Sequence, residues 1–276
     1  MARHENTPVA LTIAGSDCSA GAGLQADLKA FSAFGVYGLT AVTCVVSEVP
    51  GKVSRIDPVE PSLLQDQLHL LFDAFPIAAV KTGLLCSESH VSTVCDFLGS
   101  LGDHRPPIIV DPVMVATSGD TLLEDGAIKT YQDQLFPIAT LITPNLSEAS
   151  FLLDHEISSV TEMKMSAHEL RDRHGANVLL KGGHLGGDEA TDVLVHQEGE
   201  DTFSAPFTHG VQTHGTGCTY SAAIAANLAL GHDLVPSIRR AKAFVSAAIA
   251  NYHQWRVGDD SIDALNHAVD FTLPDS

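Results

Sequence analysis

The residues best suited to chemistry lie between His214 and Thr219, where the sequence reads HGTGCT. Two glycines within three residues, Gly215 and Gly217, let the backbone approach a ligand closely, and an alanine-rich segment of helical composition follows them. A helix that begins here directs its unpaired N–H groups and the positive end of its dipole at one point. We therefore expect phosphate oxygens or a developing oxyanion to bind there.

Cys218 lies in the first turn of this predicted helix. The positive end of a helix lowers the pKa of a thiol, so we expect a Cys218 thiolate that can accept a proton or attack an electrophile. The same spacing fits a glycine-rich turn beside a buried, inert cysteine, and the sequence alone leaves both interpretations open. A hydrolase with a cysteine nucleophile is the less favoured class, because no obvious His/Asn pair accompanies the cysteine.

A second glycine-rich stretch, residues 15–23, follows the first predicted strand. Gly21 and Gly23 fit the first two positions of a dinucleotide-binding GxGxxG pattern, but Ala26 occupies the third. No strand ending in an acidic residue lies about 20 residues further on, so an NAD-dependent dehydrogenase is a poor match. Asp17 in this stretch fits two roles equally, a ligand for a substrate hydroxyl and a helix-capping residue.

Polar residues also follow other apolar runs directly. Asp111 is one of them, and Asn145 and Glu148 stand three residues apart at a predicted strand-to-helix turn. This pair is placed to face a metal or a phosphate, or simply to cap the helix. Lys181 ends an apolar run in a strongly acidic chain, so we expect an anionic partner for it, either a phosphate or an Asp or Glu carboxylate.

The elements that must position these residues are short apolar runs alternating with segments of helical composition. The runs are apolar throughout, which indicates strands buried on both faces and hence a parallel sheet in an α/β protein. Ligands of such sheets bind at the carboxyl ends of the strands, where the polar residues above are expected. The predicted strands are residues 9–14, 78–81, 107–110, 139–143 and 176–181.

The last third of the chain has a different pattern. Residues 192–197 and 202–206 predict a hairpin, and two long helices are expected at 217–230 and 235–252. Residues 36–53 carry β-type side chains closed by a Pro-Gly pair and predict a small flap over the edge of the sheet. No linker composition interrupts the chain, so we expect a single domain over residues 1–276.

Composition excludes several classes of partner. The chain has 276 residues, with 15 Lys and Arg against 34 Asp and Glu, and the net charge of −19 repels nucleic acid. No stretch approaches the roughly 18 apolar residues of a membrane span, so no membrane partner is expected. Five cysteines without a CxxC pair predict reduced thiols, and the first residues lack a secretory signal, which favours a cytoplasmic location.

Taken together, these motifs resemble the hydroxymethylpyrimidine/phosphomethylpyrimidine kinase family. The resemblance covers residues 9–255 and rests on blocks that occur in the family's order and spacing. The blocks are residues 12–17 with 21–29, 110–114, 143–149, 181–184 and 213–219. It implies a ribokinase-like α/β fold, with a mostly parallel central sheet, helices on both faces and a small β flap.

The activity that the resemblance implies is an ATP-dependent, Mg²⁺-assisted phosphorylation in thiamine biosynthesis. The family phosphorylates 4-amino-5-hydroxymethyl-2-methylpyrimidine and then its monophosphate, so the small-molecule partners would be this aminopyrimidine alcohol, its phosphate and ATP. Ribokinase-like enzymes often pair through their flaps, which makes a homodimer the expected state. A binding protein of the same fold that consumes no ATP is less favoured, because the glycine loop and Lys181 are intact.

The resemblance also implies catalytic roles by motif position. Gly215, Thr216, Gly217 and Cys218 would form an anion hole, with Cys218 where related sugar kinases carry the catalytic Asp. Lys181 would reach the ATP phosphates and take part in catalysis.

A second set of roles concerns the metal. Asn145 and Glu148 match the family's Asn-x-x-Glu motif, which is tied to Mg²⁺ and phosphate. Asp111 would lie nearby. The resemblance therefore implies that all three contact the Mg²⁺–ATP complex and that Asp111 and Glu148 are the metal ligands.

A third set of roles concerns the acceptor pocket. Glu48 matches the position at which the family carries a Glu or Gln that recognises the pyrimidine. Gly15 and Asp17 would lie beside the same pocket. Two departures occur there: Cys18 replaces the more usual Pro, and residues 47–51 are more apolar than the family pattern. Both departures lie at the acceptor pocket and therefore concern which substrate is recognised. The alternative to the pyrimidine kinase is a pyridoxal or pyridoxine kinase of the same superfamily.

Overall fold

The short apolar runs of the sequence form the strands of a nine-stranded sheet. The computed structural model describes residues 7–114, 125–183, 185–211, 214–258 and 260–271; His184 and Thr213, which belong to two of the motif blocks, lie outside these ranges. The strands are β1 (Val9–Asp17), β2 (Tyr37–Val49), β3 (Lys52–Pro58), β4 (Ile77–Thr82), β5 (Ile108–Val110), β6 (Leu141–Ile142), β7 (Asn177–Gly182), β8 (Glu189–His196) and β9 (Gly199–Pro206), and a separate hairpin is formed by β10 (His253–Val257) and β11 (Asp260–Ala264).

The helices connect most of these strands in the order that the alternating pattern predicts. The π-helical turn Tyr131–Leu135 continues the fourth helix. The helices are α1 (Gly23–Ala33), α2 (Pro61–Ala74), α3 (Glu88–Ser100), α4 (Asp125–Thr130), α5 (Leu146–Leu153), α6 (Val160–His174), α7 (Thr216–Ala229) and α8 (Leu234–Ala250).

The sheet runs in the order β3-β2-β1-β4-β5-β6-β7-β8-β9. The six central strands, from β2 to β7, pair in parallel, and the two edges are antiparallel. This arrangement confirms the mostly parallel sheet and the predicted hairpin, which is β8 with β9. The carboxyl ends of the central strands therefore lie along one edge, where the polar residues of the sequence motifs are found.

Helices cover both faces of the sheet, as the uniformly apolar strands require. In β7, Leu179 belongs to the apolar cluster on one face, which includes residues of α1, α7 and α8, while Val178 and Leu180 belong to the cluster on the other face, which includes residues of α2 to α6. Four of the five alanines of α7 are buried and let this helix approach β4 and β5 closely. This close packing positions the start of α7 at the carboxyl ends of the central strands.

The flap is shorter than the sequence predicted. Residues 37–46 of the expected flap pair with β1 and belong to the central sheet. Only the end of β2, the turn at residues 50–51 and the start of β3 extend beyond this pairing. The prediction was wrong for the first part because β2 alternates buried and exposed side chains, a pattern that fits a half-covered sheet strand as well as a flap.

The length and composition of the helices also bear on membrane spanning. Within the described ranges, none of them combines the length and the apolar composition needed to cross a bilayer.

Candidate active site

A cavity opens at the carboxyl ends of the central strands, beneath the flap. Its walls come from the end of β1, the flap, the segment after β5, the start of α5, the end of β7 and the start of α7. The cavity is lined by nearly all the residues that the sequence singled out: Gly15, Glu48, Asp111, Asn145, Glu148, Lys181, Gly215, Gly217 and Cys218. Asp17 and Thr216, which were also predicted, do not line it.

Gly215 fixes where α7 begins. It is the N-cap residue, with φ of 80°, and no side chain caps the helix. A Cβ built on Gly215 would lie 1.9 Å from the carbonyl oxygen of Gly21, so only glycine permits this contact between α7 and the loop after β1. Gly217 and Cys218, in the first turn of α7, line the cavity, and the N–H groups of a first helical turn have no acceptor within the helix itself.

Gly217 places the start of α7 against a charged pair. A Cβ at this position would lie 3.1 Å from Lys181 Nζ and 3.5 Å from Asp111 Oδ2. The absence of a side chain at Gly217 therefore brings the helix end and the lysine cation to the same point. A helix N-terminus beside a lysine is a suitable site for an anion such as a phosphate.

Lys181 and Asp111 form a largely buried ion pair. Lys181 Nζ donates to Asp111 Oδ1 at 2.9 Å, and Ser221 donates to Asp111 Oδ2 at 3.3 Å. Burial raises the pKa of Asp111, but the charges of Lys181 and Lys81 outweigh it and hold that pKa below its usual value. The pKa of Lys181 is raised, because the nearby carboxylates outweigh burial. The expected anionic partner of Lys181 is thus a carboxylate in the free protein.

Asn145 and Glu148 form a capping box at the start of α5. Glu148 N–H donates to Asn145 Oδ1 at 2.9 Å, and Asn145 N–H donates to Glu148 Oε2 at 2.8 Å. The structure therefore contains the capping arrangement that the sequence left open, although both residues also line the cavity. Capping and ligand binding are compatible here, because the carboxylate still faces the cavity.

The acidic groups at this end of the cavity fit a magnesium ion. Burial raises the pKa of Glu148 to about 8, with Lys181 opposing the shift and Asp111 adding to it. A buried carboxyl group without a full counter-charge, next to the Asp111 carboxylate, is a set of oxygen donors that Mg²⁺ prefers. Mg²⁺ commonly takes one or two carboxylates and completes its coordination with water and phosphate oxygens.

The predicted Cys218 thiolate is wrong. Burial raises the pKa of Cys218 to about 11, although the charge of Lys81 and a backbone hydrogen bond from Gly23 oppose the shift. The carboxylates of Asp27 and Asp111 add to the effect of burial. The helix end that was expected to favour the thiolate does not compensate for loss of solvent and for two nearby negative charges. Cys218 therefore rests as a neutral thiol.

Asp17 organises a loop rather than lining the cavity. Its carboxylate accepts hydrogen bonds from Ser19, Gly21 and Ala22 N–H groups, from the Ser19 hydroxyl and from His214. Burial raises the pKa of Asp17, but these hydrogen bonds bring it down to about 2. The N-cap of α1 is Ala22, so the cap role predicted for Asp17 is wrong. Its role at the acceptor pocket stays a prediction.

Glu48 lies on the flap at the other end of the cavity from the Lys181–Asp111 pair. Apolar residues of the same hairpin, among them Val46 and Val53, line the cavity beside it. Burial and the charge of Asp17 raise the pKa of Glu48, and the nearby His214 opposes the shift. This combination of an apolar wall and one carboxyl group can accept hydrogen bonds from a flat polar ring.

Comparison with known proteins identifies the family. The family model described as phosphomethylpyrimidine kinase matches residues 17–264. The chain belongs to the phosphomethylpyrimidine kinase family. The hydroxymethylpyrimidine/phosphomethylpyrimidine kinase of Salmonella typhimurium is 41% identical over 250 residues, which cover 90% of this chain and 93% of that enzyme.

Two further proteins extend the comparison. A thiamine biosynthesis bifunctional protein of Geobacter sulfurreducens is 41% identical over 239 residues; these cover 87% of this chain, which spans about half of that protein (48%). The structure of Bacillus subtilis pyridoxal kinase in complex with ADP superposes with a TM-score of 0.85 and 32% identity, over 95% of this chain and 98% of that one. This chain therefore has the predicted ribokinase-like α/β fold.

The sequence analysis missed one buried pair beside the site of this family member. Lys81 Nζ donates to both carboxylate oxygens of Asp27, at 2.8 and 3.0 Å, and both side chains are fully buried. The charge of Lys81 reaches Cys218 and Asp111. A signal was available, because Lys81 ends an apolar run as Lys181 does.

His214 was the other omission. It belongs to the HGTGCT motif, yet no role was assigned to it from the sequence. Its Nε2 lies 3.3 Å from Asp17 Oδ2, and it lines the cavity. The hydrogen bond to Asp17 raises the pKa of His214 against the effect of burial, and the charge of Glu48 adds to the rise.

Proposed function

We propose that this protein transfers the γ-phosphoryl group of ATP to the hydroxymethyl group of 4-amino-5-hydroxymethyl-2-methylpyrimidine, and then to the resulting monophosphate, in thiamine biosynthesis. Family membership and the names of the relatives support the reaction and the acceptor. The observation that carries the proposal is that one cavity joins the start of α7 and Lys181 to Glu48 on the flap. Phosphoryl transfer requires positioning and charge neutralisation, which these two ends supply.

The ATP phosphates would bind at the start of α7. The ammonium group of Lys181 lies beside Gly217, and the N–H groups of Gly217 and Cys218 in the first turn of α7 would bind the same anion. These fixed donors would stabilise negative charge on the γ-phosphoryl oxygens as the bond to ADP breaks. The ADP complex of the B. subtilis pyridoxal kinase supports nucleotide use by this fold.

Asp111 and Glu148 would hold Mg²⁺, partly through water. When bound, the ion neutralises charge on the ATP phosphates and helps to orient them. Asp111 keeps its negative charge in the free protein because Lys181 is beside it. Glu148, whose pKa is raised by burial, would lose its proton as the cation binds.

The acceptor would lie between Glu48 and Cys218. Glu48 would accept hydrogen bonds from the amino group and the protonated ring nitrogen of the pyrimidine. The acceptor hydroxyl would then face the γ-phosphorus, and its oxygen would attack as ADP leaves. Cys218 would receive the hydroxyl proton, which requires the minor thiolate form because the resting group is a thiol.

A panel of acceptors tests the proposal. ADP release is measured with the hydroxymethylpyrimidine, with its monophosphate and with pyridoxal, each at equal concentration. We expect fast release with both pyrimidines and slow release with pyridoxal. Fast release with pyridoxal alone would establish the alternative, a pyridoxal kinase, which the likeness to B. subtilis pyridoxal kinase favours. Nucleotide binding without release for any acceptor would contradict the kinase proposal.

Two properties of the whole protein belong to the same proposal. The end of β2 that leads into the flap exposes apolar side chains at Val45 and Val49, which supports a homodimer formed through the flap. We also infer a cytoplasmic location, where ATP is made and cysteines stay reduced. Small molecules would be the ligands, with nucleic acids disfavoured by the net charge of −19.

A further inference from the structure

We propose that Cys18 is a positioning residue that holds Glu48 at the acceptor end of the cavity. The inference rests on the proposed function, in which Glu48 accepts hydrogen bonds from the pyrimidine. Cys18 is exposed and does not line the cavity. It therefore acts on the acceptor through Glu48 and not by contact.

The Cys18 thiol bonds to both backbone groups of Glu48. Its S–H donates to the Glu48 carbonyl oxygen at 3.2 Å, and its sulfur accepts from the Glu48 N–H at 3.4 Å. In addition, the backbone N–H of Cys18 donates to the Val46 carbonyl oxygen at 3.3 Å. Cys18 thus bonds to the backbone of β2 at Val46 and at Glu48, two alternate residues that face the same side of a strand.

These bonds begin where the regular sheet ends. The parallel pairing of β1 with β2 stops at Asp17 and Val46. On the other side of β2, the register with β3 shifts between Ser47 and Glu48, which marks a bulge. A bulge interrupts the regular ladder and loosens the hold of the neighbouring strand. The thiol therefore holds Glu48 at a point where the pairing of β2 with β1 has ended and its pairing with β3 is irregular.

The identity of residue 18 matters because other residue types cannot make the same contacts. Proline has no N–H to donate to Val46 and no thiol for Glu48. Alanine keeps the backbone bond and loses both thiol bonds. Serine keeps a group that donates and accepts, although its shorter C–O bond places the oxygen farther from the flap. The three variants therefore separate the backbone bond from the thiol bonds.

Steady-state kinetics of Cys18→Ala test the proposal. Because the net value of a hydrogen bond is small, we expect KM for the pyrimidine to rise about three- to tenfold. We expect kcat and KM for ATP to stay nearly constant, since the thiol contacts neither the nucleotide nor the reacting atoms. Cys18→Ser should recover part of the loss, and Cys18→Pro should lose at least as much as Cys18→Ala. Ser32→Ala, an exposed change in α1 outside the cavity, is the control and should match the wild type.

Hydrogen exchange at the Glu48 amide gives a readout that needs no substrate. If the thiol accepts from this N–H, exchange is faster in Cys18→Ala than in the wild type and is slowed again in Cys18→Ser. Unchanged exchange in Cys18→Ala would overturn the proposal. Faster exchange with an unchanged KM would also overturn it, because Glu48 would then be released without effect on the acceptor. If no acceptor is phosphorylated at all, the proposed function fails, while exchange still reports whether the thiol restrains Glu48.

Discussion

At the scale of single residues, the environment of Cys218 differs from the prediction, because it favours the neutral thiol over the thiolate. A thiol whose pKa is raised to about 11 by burial is almost wholly protonated near neutral pH. An acceptor alcohol is not ionised at this pH and needs a base, whereas a phosphate monoester, with a second pKa of about 6, is already mostly a dianion. The two phosphorylation steps should therefore depend differently on Cys218.

We predict that Cys218→Ala slows phosphorylation of the alcohol by about 10²-fold and slows phosphorylation of the monophosphate much less. In the wild type, the rate with the alcohol should also rise with pH from neutrality as the thiolate fraction grows. Single-turnover rates for the two acceptors, measured across this pH range, provide the comparison. An equal loss in both steps would show that Cys218 shapes the loop and does not receive the proton.

The buried pair of Lys81 and Asp27 predicts a large effect on stability. Lys81→Met leaves the Asp27 carboxylate buried without its partner, so we expect a loss of about 3–5 kcal/mol in the free energy of unfolding. The double variant with Asp27→Leu should recover much of it, because two apolar residues leave no buried charge. Urea unfolding measures both. Lys129→Met, which removes an exposed pair with Asp133, should cost less than about 1 kcal/mol.

Asp17 predicts a stability difference confined to a window of pH. Its pKa in the folded protein is about 2, below the ordinary value of 3.8, because hydrogen bonds to the charged form outweigh burial. A lowered carboxyl pKa contributes stability above about pH 4, and the contribution is lost as the pH falls towards 2. Asp17→Asn should therefore unfold at lower urea concentration than the wild type near pH 5, and the gap should close near pH 2. A gap that persists unchanged at pH 2 would contradict the assignment, and Asp57→Asn, in an exposed pair, is the control.

At the scale of elements, the start of α7 depends on the backbone at Gly215. Its φ of 80° and a Cβ position 1.9 Å from the Gly21 carbonyl oxygen leave no room for a side chain. Gly215→Ala should displace the helix end from the phosphates and lower kcat by about 10²-fold or more. Gly210→Ala is a matched control, because Gly210 has φ of 78° and open space around it. If both variants lose activity equally, the loss comes from backbone strain at a positive φ, and the contact of Gly215 with Gly21 does not explain it.

The elements were predictable where local pattern decides them. Apolar runs ending in Asp111, Asn145 or Lys181 identified both the strands and the edge of the sheet at which the cavity lies. The Lys81–Asp27 pair was not predictable in the same way, because 54 residues separate its members and only the packing of α1 on the sheet joins them. The pKa of Cys218 likewise depends on burial by several elements, which no local spacing reveals.

At the scale of the whole molecule, the net charge bears on nucleotide binding, and the exposed apolar side chains of β2 bear on self-association. A net charge of −19 leaves the start of α7 and Lys181 as a local positive site in an acidic protein, which suits a nucleotide carried with Mg²⁺. The exposed apolar side chains of Val45 and Val49 near the end of β2 predict self-association. We expect sedimentation to give a dimer and Val45→Lys to shift it towards monomer, whereas a wild-type monomer at micromolar concentration would contradict the homodimer.

The central claim is that the start of α7 holds the transferred phosphoryl group while the flap holds its acceptor. A crystal structure with a non-hydrolysable ATP analogue, Mg²⁺ and the hydroxymethylpyrimidine tests it most directly. We predict the γ-phosphate within hydrogen-bond distance of the Gly217 and Cys218 N–H groups and of Lys181 Nζ, with the pyrimidine against Glu48. A nucleotide bound at another edge of the sheet, or a γ-phosphate that leaves these N–H groups unused, would contradict the account.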